Sequence, residues 1–97
     1  MKFKRLVASV VMGALFSGAA FAQVKVGVIS SSTGPIAMVG IPQKNSVPLM
    51  PTKVGNLTVQ YIPLDDGSDP TASVVAIKKL ISEENVDAII GPSGSPN

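Results

Sequence analysis

From Leu6 to Ala22 the chain runs seventeen residues without a charge, directly after Met1-Lys2-Phe3-Lys4-Arg5. That charged-then-apolar order is what an export machinery reads. The run closes on Ala20-Phe21-Ala22, whose small residues suit a signal peptidase and set cleavage between Ala22 and Gln23. A membrane-spanning helix needs about 20 predominantly apolar residues. This run is shorter and is diluted by Ser9, Gly13, Ser17 and Gly18, so residues 1–22 are expected to be a cleaved signal peptide and not an anchor. What remains to fold is residues 23–97, 75 residues, a length at which a chain buries only about 60% of its unfolded surface. One small domain is the ceiling, with no internal repeat to extend it.

Removing the leader reverses the charge. Lys2, Lys4 and Arg5 are three of the eight basic residues and all six acidic ones lie downstream, so residues 23–97 carry five basic against six acidic groups, net −1. The basic pI of 9.2 therefore belongs to the leader and supports neither nucleic-acid binding nor a polybasic membrane patch. Cysteine is absent, which excludes disulfides, a thiolate nucleophile, cysteine-ligated metal and a lipid-modified cysteine anchor. Histidine is absent too, removing the usual general base and the commonest metal ligand. No catalytic residue, metal or cofactor is implied, and a soluble periplasmic product is expected.

The hydrophobic pattern predicts an α/β fold. Val24, Val26 and Val28 form a β-branched first strand leading into a hydroxyl-rich loop, Ser30 to Pro35, expected to be wet and mobile. Pro42, Pro48 and Pro51 argue against a long helix between Ile41 and Lys53, because an internal proline costs about 3 kcal/mol. A short irregular turn beginning at Pro42 is expected there. Leu57, Val59 and Tyr61 alternate with polar residues as in an edge strand. Asp69-Pro70 supplies an N-cap and a first helical residue, and the helix is predicted from Pro70 to about Glu84, with Val74, Ile77 and Ile81 turned to the sheet. Val86 to Ile90 reads as a central parallel strand. Right-handed crossovers then give a β-α-β-α-β, partial doubly wound parallel sheet, with the loops after Ile29, Ile62 and Ile90 on the ligand-binding rim.

Two motifs invite chemistry. Asp65, Asp66 and Asp69 place three carboxylates within five residues, but not at EF-hand spacing. Asp69 serves better as an N-cap, Gly67 as a turn residue, and Asp65 and Asp66 as solvated or loop-fixing groups. Gly91-Pro92-Ser93-Gly94-Ser95 approaches a nucleophile elbow, yet its fifth position is not glycine and no histidine exists to activate Ser93. The loop is either a plain connector or a place where Ser93, Ser95 and backbone amides bind a small polar solute.

Val24-Lys25-Val26-Gly27-Val28-Ile29, Thr33-Gly34-Pro35, Gly40, Asp65 to Pro70, Lys78-Lys79-Leu80-Ile81 and Val86 to Pro92 follow one another as in a known family. In that order and spacing the chain resembles the N-terminal part of the branched-chain amino acid type of periplasmic solute-binding proteins of ABC transporters. The resemblance implies a type I periplasmic-binding-protein fold, of which residues 23–97 are an incomplete N-terminal lobe, the first part of lobe one. It also implies a binder and not an enzyme, with a small organic solute, amino acid-like or a related carboxylate or amide, and the ABC permease membrane subunits as partners. By the same resemblance Ser95 falls where a serine meets the solute, within the Ser93-Gly94-Ser95 loop. Val39 stands where amino acid binders often place an aromatic residue, just before the glycine matching Gly40. The alternative from another class is a small exported interaction module that pairs through its open sheet edge. By itself, residues 23–97 are expected to be unstable or to aggregate, since three parallel strands and one good helix leave apolar faces and edges open.

Overall fold

The computed structural model describes residues 22–95. The leader expected at residues 1–22, apart from Ala22, lies outside the described residues. Strand β1, Gln23–Ser30, grows from the valine alternation and becomes buried over its last four residues. It is followed by helix α1, Ala37–Ser46, a 3-10 turn at Val47–Leu49, a two-residue strand β2, Lys53–Val54, and strand β3, Leu57–Asp65. Helix α2, Pro70–Ser82, and strand β4, Ala88–Ile90, complete the order. The four strands form one sheet in the order β2-β3-β1-β4. β1 is parallel to both β3 and β4, whereas β2 is antiparallel to β3. This is the expected doubly wound α/β arrangement with a short hairpin added.

Strand β1, not β4, is the central strand. It pairs with β3 along its whole length, Gln23 opposite Thr58 through Ser30 opposite Asp65. On its other side Val26 to Val28 lie opposite Ala88 to Ile90. The near-continuous apolar run of residues 86–90 suggested burial on both faces, yet only three residues enter the ladder and Ile90 is 47% exposed. β3 is in turn less of an edge than its alternation implied, because β2 covers its start. Pro63 fits late in β3 because beyond β2 the outer side of the strand needs no N–H.

The two helices pack on opposite faces. Ile29, Ala76 and fully buried Leu80 form the core on one face, with Ile62, Leu64, Ile77, Val86 and Ile89 around them. Successive strand residues point to opposite faces, which puts buried Val28 on the other side, where Val47 of the 3-10 turn is also buried. The α2 face differs from expectation. Ser73, Ala76 and Leu80 are buried, while Val74 and Ile81 are half or more exposed. The helix is rotated because Ser73 has a buried acceptor to reach, a requirement that hydropathy does not register. Asp69 caps this helix as the sequence implied, accepting from Thr71 N at 3.2 Å and Ala72 N at 3.3 Å.

Helix α1 overturns the short turn expected from Pro42. It begins five residues earlier, at Ala37, and carries Pro42 inside it. The N–H that Pro42 lacks would have bonded the carbonyl of Met38. Met38 is 90% exposed, so water can take that place. The α-helix passes at Val47 into the 3-10 segment, with Pro48 inside it, and Val47 keeps helical dihedrals (φ −56°, ψ −45°) instead of the extended geometry that a following proline favours. The start of α1 is held close to β1 at Gly40, where a Cβ would fall on the Ser31 carbonyl oxygen. Only glycine allows this approach.

Candidate functional site

Strand order reverses around β1, since β3 lies on one side of it and β4 on the other. In open α/β sheets such a switch point leaves a crevice at the carboxyl ends of the strands, where ligands bind. Here it is flanked by the loop after β1, residues 31–36, and the loop after β4, residues 91–95. Below it a cleft is lined by Ser30, Gln43, Ser46, Met50, Gly91 and Pro92, among others.

The first part of this hydroxyl-rich stretch is not wet, contrary to its composition, whereas Thr33, Gly34 and Pro35 are exposed as expected. Ser30, Ser31 and Ser32 are buried, at 2%, 0% and 9% exposure. Their partners come from the loop after β3, more than thirty residues away in sequence. Asp65 accepts from Ser32 N at 3.0 Å, from Thr33 Oγ1 at 2.7 Å and from Gly67 N at 2.9 Å. Asp66, 1% exposed, accepts from Ser31 Oγ at 2.7 Å, Ser68 N at 3.0 Å and Ser73 Oγ at 2.5 Å. Ser68 Oγ donates to Thr33 O at 2.7 Å and accepts from Ile36 N at 3.2 Å, tying down the residue that opens α1. The adjacent aspartates are loop-fixing groups, and Asp66 is not solvated. With their oxygens engaged in these bonds, the two carboxylates tie the loop after β1 to the loop after β3. Among the described residues no group of three or more acidic, histidine or cysteine side chains could hold a metal ion.

The Thr33 hydroxyl, followed by the Gly67 amide, holds the Asp65 carboxyl below its ordinary value of 3.8, with a smaller opposing effect of burial and further help from the Ser32 and Thr33 amides. An aspartate with a lowered folded-state pKa binds its proton less readily folded than unfolded. Its stabilisation is therefore complete above the unfolded value and is lost as pH falls through the folded one. The stability difference between wild type and Asp65→Asn, measured by urea denaturation of the intact exported protein from pH 7 to pH 2, is expected to be constant near neutrality and to shrink only below about pH 4.

Of the sequence-derived site residues, Ser93, Gly94 and Ser95 lie in the loop after β4 and Val39 lies on α1. Ser93 is half-buried and accepts from Ser31 N at 3.0 Å, while its hydroxyl donates to Gln43 Oε1 of α1. Gly94 lies against Ile36, whose side chain fills the space a Cβ would take. Ser95 is exposed at the end of the loop. Val39 is 51% exposed on the first turn of α1. The course of the β4 loop is set at Gly91, where φ is +110° and a Cβ would meet the Ile29 carbonyl. Gln43 and Ser31 escaped the sequence reading. The signal that could have exposed them was a run of hydroxyls leaving a buried strand with an Asp-Asp pair leaving its neighbour.

A family model described as periplasmic binding protein matches residues 23–97. Comparison with curated proteins found no match. Among solved structures, an extracellular ligand-binding receptor from Rhodopseudomonas palustris is similar over 76% of this chain and 21% of its own, with 32% identity and a TM-score of 0.72. Another, from Rhodopseudomonas palustris HaA2, shows 44% identity over 72% of this chain and 19% of its own, with a TM-score of 0.70. A leucine binding protein from Thermotoga maritima shows 33% identity over 74% and 21%, with a TM-score of 0.63. The chain spans about a fifth of the length of the solved structures it matches.

Proposed function

The chain belongs to the periplasmic binding protein family, and on that premise we propose that it is the first part of lobe one of an extracytoplasmic solute-binding protein. Residues 1–22 are its export signal, removed after Ala22. The protein delivers a small organic solute, amino acid-like or a related carboxylate or amide, to the membrane subunits of an ABC permease. Its role is binding and release, with no covalent step.

The observation that carries this reading is the position of Ser93-Gly94-Ser95 at the switch-point rim, next to the start of α1. A carboxylate or amide needs donors, which the exposed hydroxyl of Ser95 and the loop's N–H groups can supply. We assign Ser95 the direct contact. Gly94 lets the loop lie against Ile36, and Val39 offers an apolar surface of modest size beside the rim.

The test is calorimetric titration of the intact exported protein with L-leucine, L-leucinamide and 3-methylbutylamine, which share an apolar tail and differ in the carboxylate. Binding of the first two and not of the amine is expected. Loss of a hydrogen bond to a charged group is worth about 1.5–3 kcal/mol, so Ser95→Ala is expected to weaken L-leucine binding about 10- to 100-fold. Failure of all three probes to bind would remove the proposed solute class, and an unchanged Ser95→Ala affinity would remove the residue assignment.

A further inference from the structure

A polar relay crosses the carboxyl edge of the sheet from one helix layer to the other. It starts on α2, where the Ser73 hydroxyl donates to Asp66 Oδ2 at 2.5 Å. The Ser31 hydroxyl donates to Asp66 Oδ1 at 2.7 Å, and the Ser31 amide donates to Ser93 Oγ at 3.0 Å. It ends on α1, where the Ser93 hydroxyl donates to Gln43 Oε1. Ser73, Asp66 and Ser31 are each no more than 2% exposed, so the inner links are shielded from competing water, while the Gln43 end reaches the surface. A serine hydroxyl has one proton and two lone pairs. On Ser93 the proton goes to Gln43 and one lone pair to Ser31, so its hydrogen-bonding capacity is mostly spent on fixing its own loop.

We propose that Gln43, Ser93 and Ser31, anchored on buried Asp66, set the position of the 91–95 loop, so that Ser93 governs solute affinity as a positioning residue while Ser95 makes the contact. The inference rests on the solute-binding reading above and assigns different work to two serines of one short loop. Rigid support of this kind matters because a binding group must be held close to its productive geometry by neighbours whose own conformations are fixed.

If the relay acts as a unit, breaking it at either end of the Gln43–Ser93 link loosens the same loop, Ser93→Ala the more because it also removes the acceptor of the Ser31 amide, and breaking it twice adds nothing to the larger single effect. Gln43→Met keeps the side-chain length and removes the acceptor, and Ser93→Ala removes the hydroxyl. With L-leucine as probe and the intact exported protein, each variant is expected to weaken binding about three- to tenfold. The double variant falls no further than the weaker single, and Ser93→Thr, which keeps a hydroxyl, stays within about twofold of wild type. Hydrogen exchange without solute is a second measurement. Amides of residues 91–95 and 31–33 are expected to exchange faster in Gln43→Met and Ser93→Ala, with protection of α2 unchanged. Wild-type affinity and exchange in Gln43→Met, or losses that add in the double variant, would overturn the inference, since Ser93 would then act directly on solute or not at all. If the wild-type protein binds no L-leucine, affinity gives no readout, and the exchange comparison alone decides whether the relay positions the loop.

Discussion

Asp66→Ala is expected to cost the intact exported protein about 3–5 kcal/mol, because each buried donor left without its acceptor costs about 1–3 kcal/mol. Three donors converge on this carboxylate, two hydroxyls and the Ser68 amide, and alanine leaves all of them facing a void too buried to hydrate freely. Whole domains are stable by only about 5–15 kcal/mol, so urea denaturation of the intact exported protein should show the midpoint falling steeply or the transition vanishing. Asp66→Asn separates charge from geometry. Its carbonyl can keep the Ser31 and Ser68 bonds, and its amide can donate to a Ser73 hydroxyl that rotates to accept. About 1–2 kcal/mol of loss is expected. An Asp66→Ala protein within about 1 kcal/mol of wild type would show that the loops after β1 and β3 and the start of α2 are held by something else.

The importance of Asp66 was invisible to local sequence logic, and the reason is distance along the chain. Features whose causes lie within a few residues were legible: the β-branched alternation of β1, the Asp69-Pro70 start of α2, and the Gly91 break after β4. The α/β class and the switch-point rim followed from their order. Misreadings came where the partner is remote. The Ser30 to Ser32 run looked solvated because hydroxyls favour water unless acceptors are supplied, and the acceptors, Asp65 and Asp66, come from the far side of a crossover. Ser73, a polar residue that an apolar stripe leaves out, is buried by the same remote acceptor, and the buried stripe of α2 lies away from Val74 and Ile81. Pro42 was given too much weight because its local penalty is known, whereas what permits α1 to begin at Ala37 is tertiary: Ser68 receives the Ile36 amide and Gly40 lets the helix lie on Ser31. Of the site, the Ser93-Gly94-Ser95 loop was readable from its composition and its place after a strand. Gln43, one polar residue in a proline-rich stretch, was not.

Residues 23–97 produced by themselves are expected to lack a cooperative melt and to elute as oligomers or aggregates. The structure gives the physical reason. Among the described residues the buried apolar set is Val28, Ile29, Val47, Ala76 and Leu80, of which Ala76 contributes little area. Against it stand ten large apolar side chains left exposed, including Met38 at 90%, Leu49 at 85%, Val75 at 62% and Ile81 at 58%. So few buried side chains face the backbone ordering cost of more than seventy residues. Parallel sheets are stable when both faces are covered. Here Val74, Val75 and Ile81 lie uncovered on α2, and in the described residues β4 pairs on one side only, an edge open to a second copy. The matched receptors are about five times longer than this segment, so the same faces in a longer chain need not meet water. Circular dichroism with temperature and size-exclusion chromatography decide the matter. A monomer with a sharp, reversible melt would mean that the hydrogen-bonded ties through Asp65 and Asp66 stabilise this small sheet far more than its apolar core does.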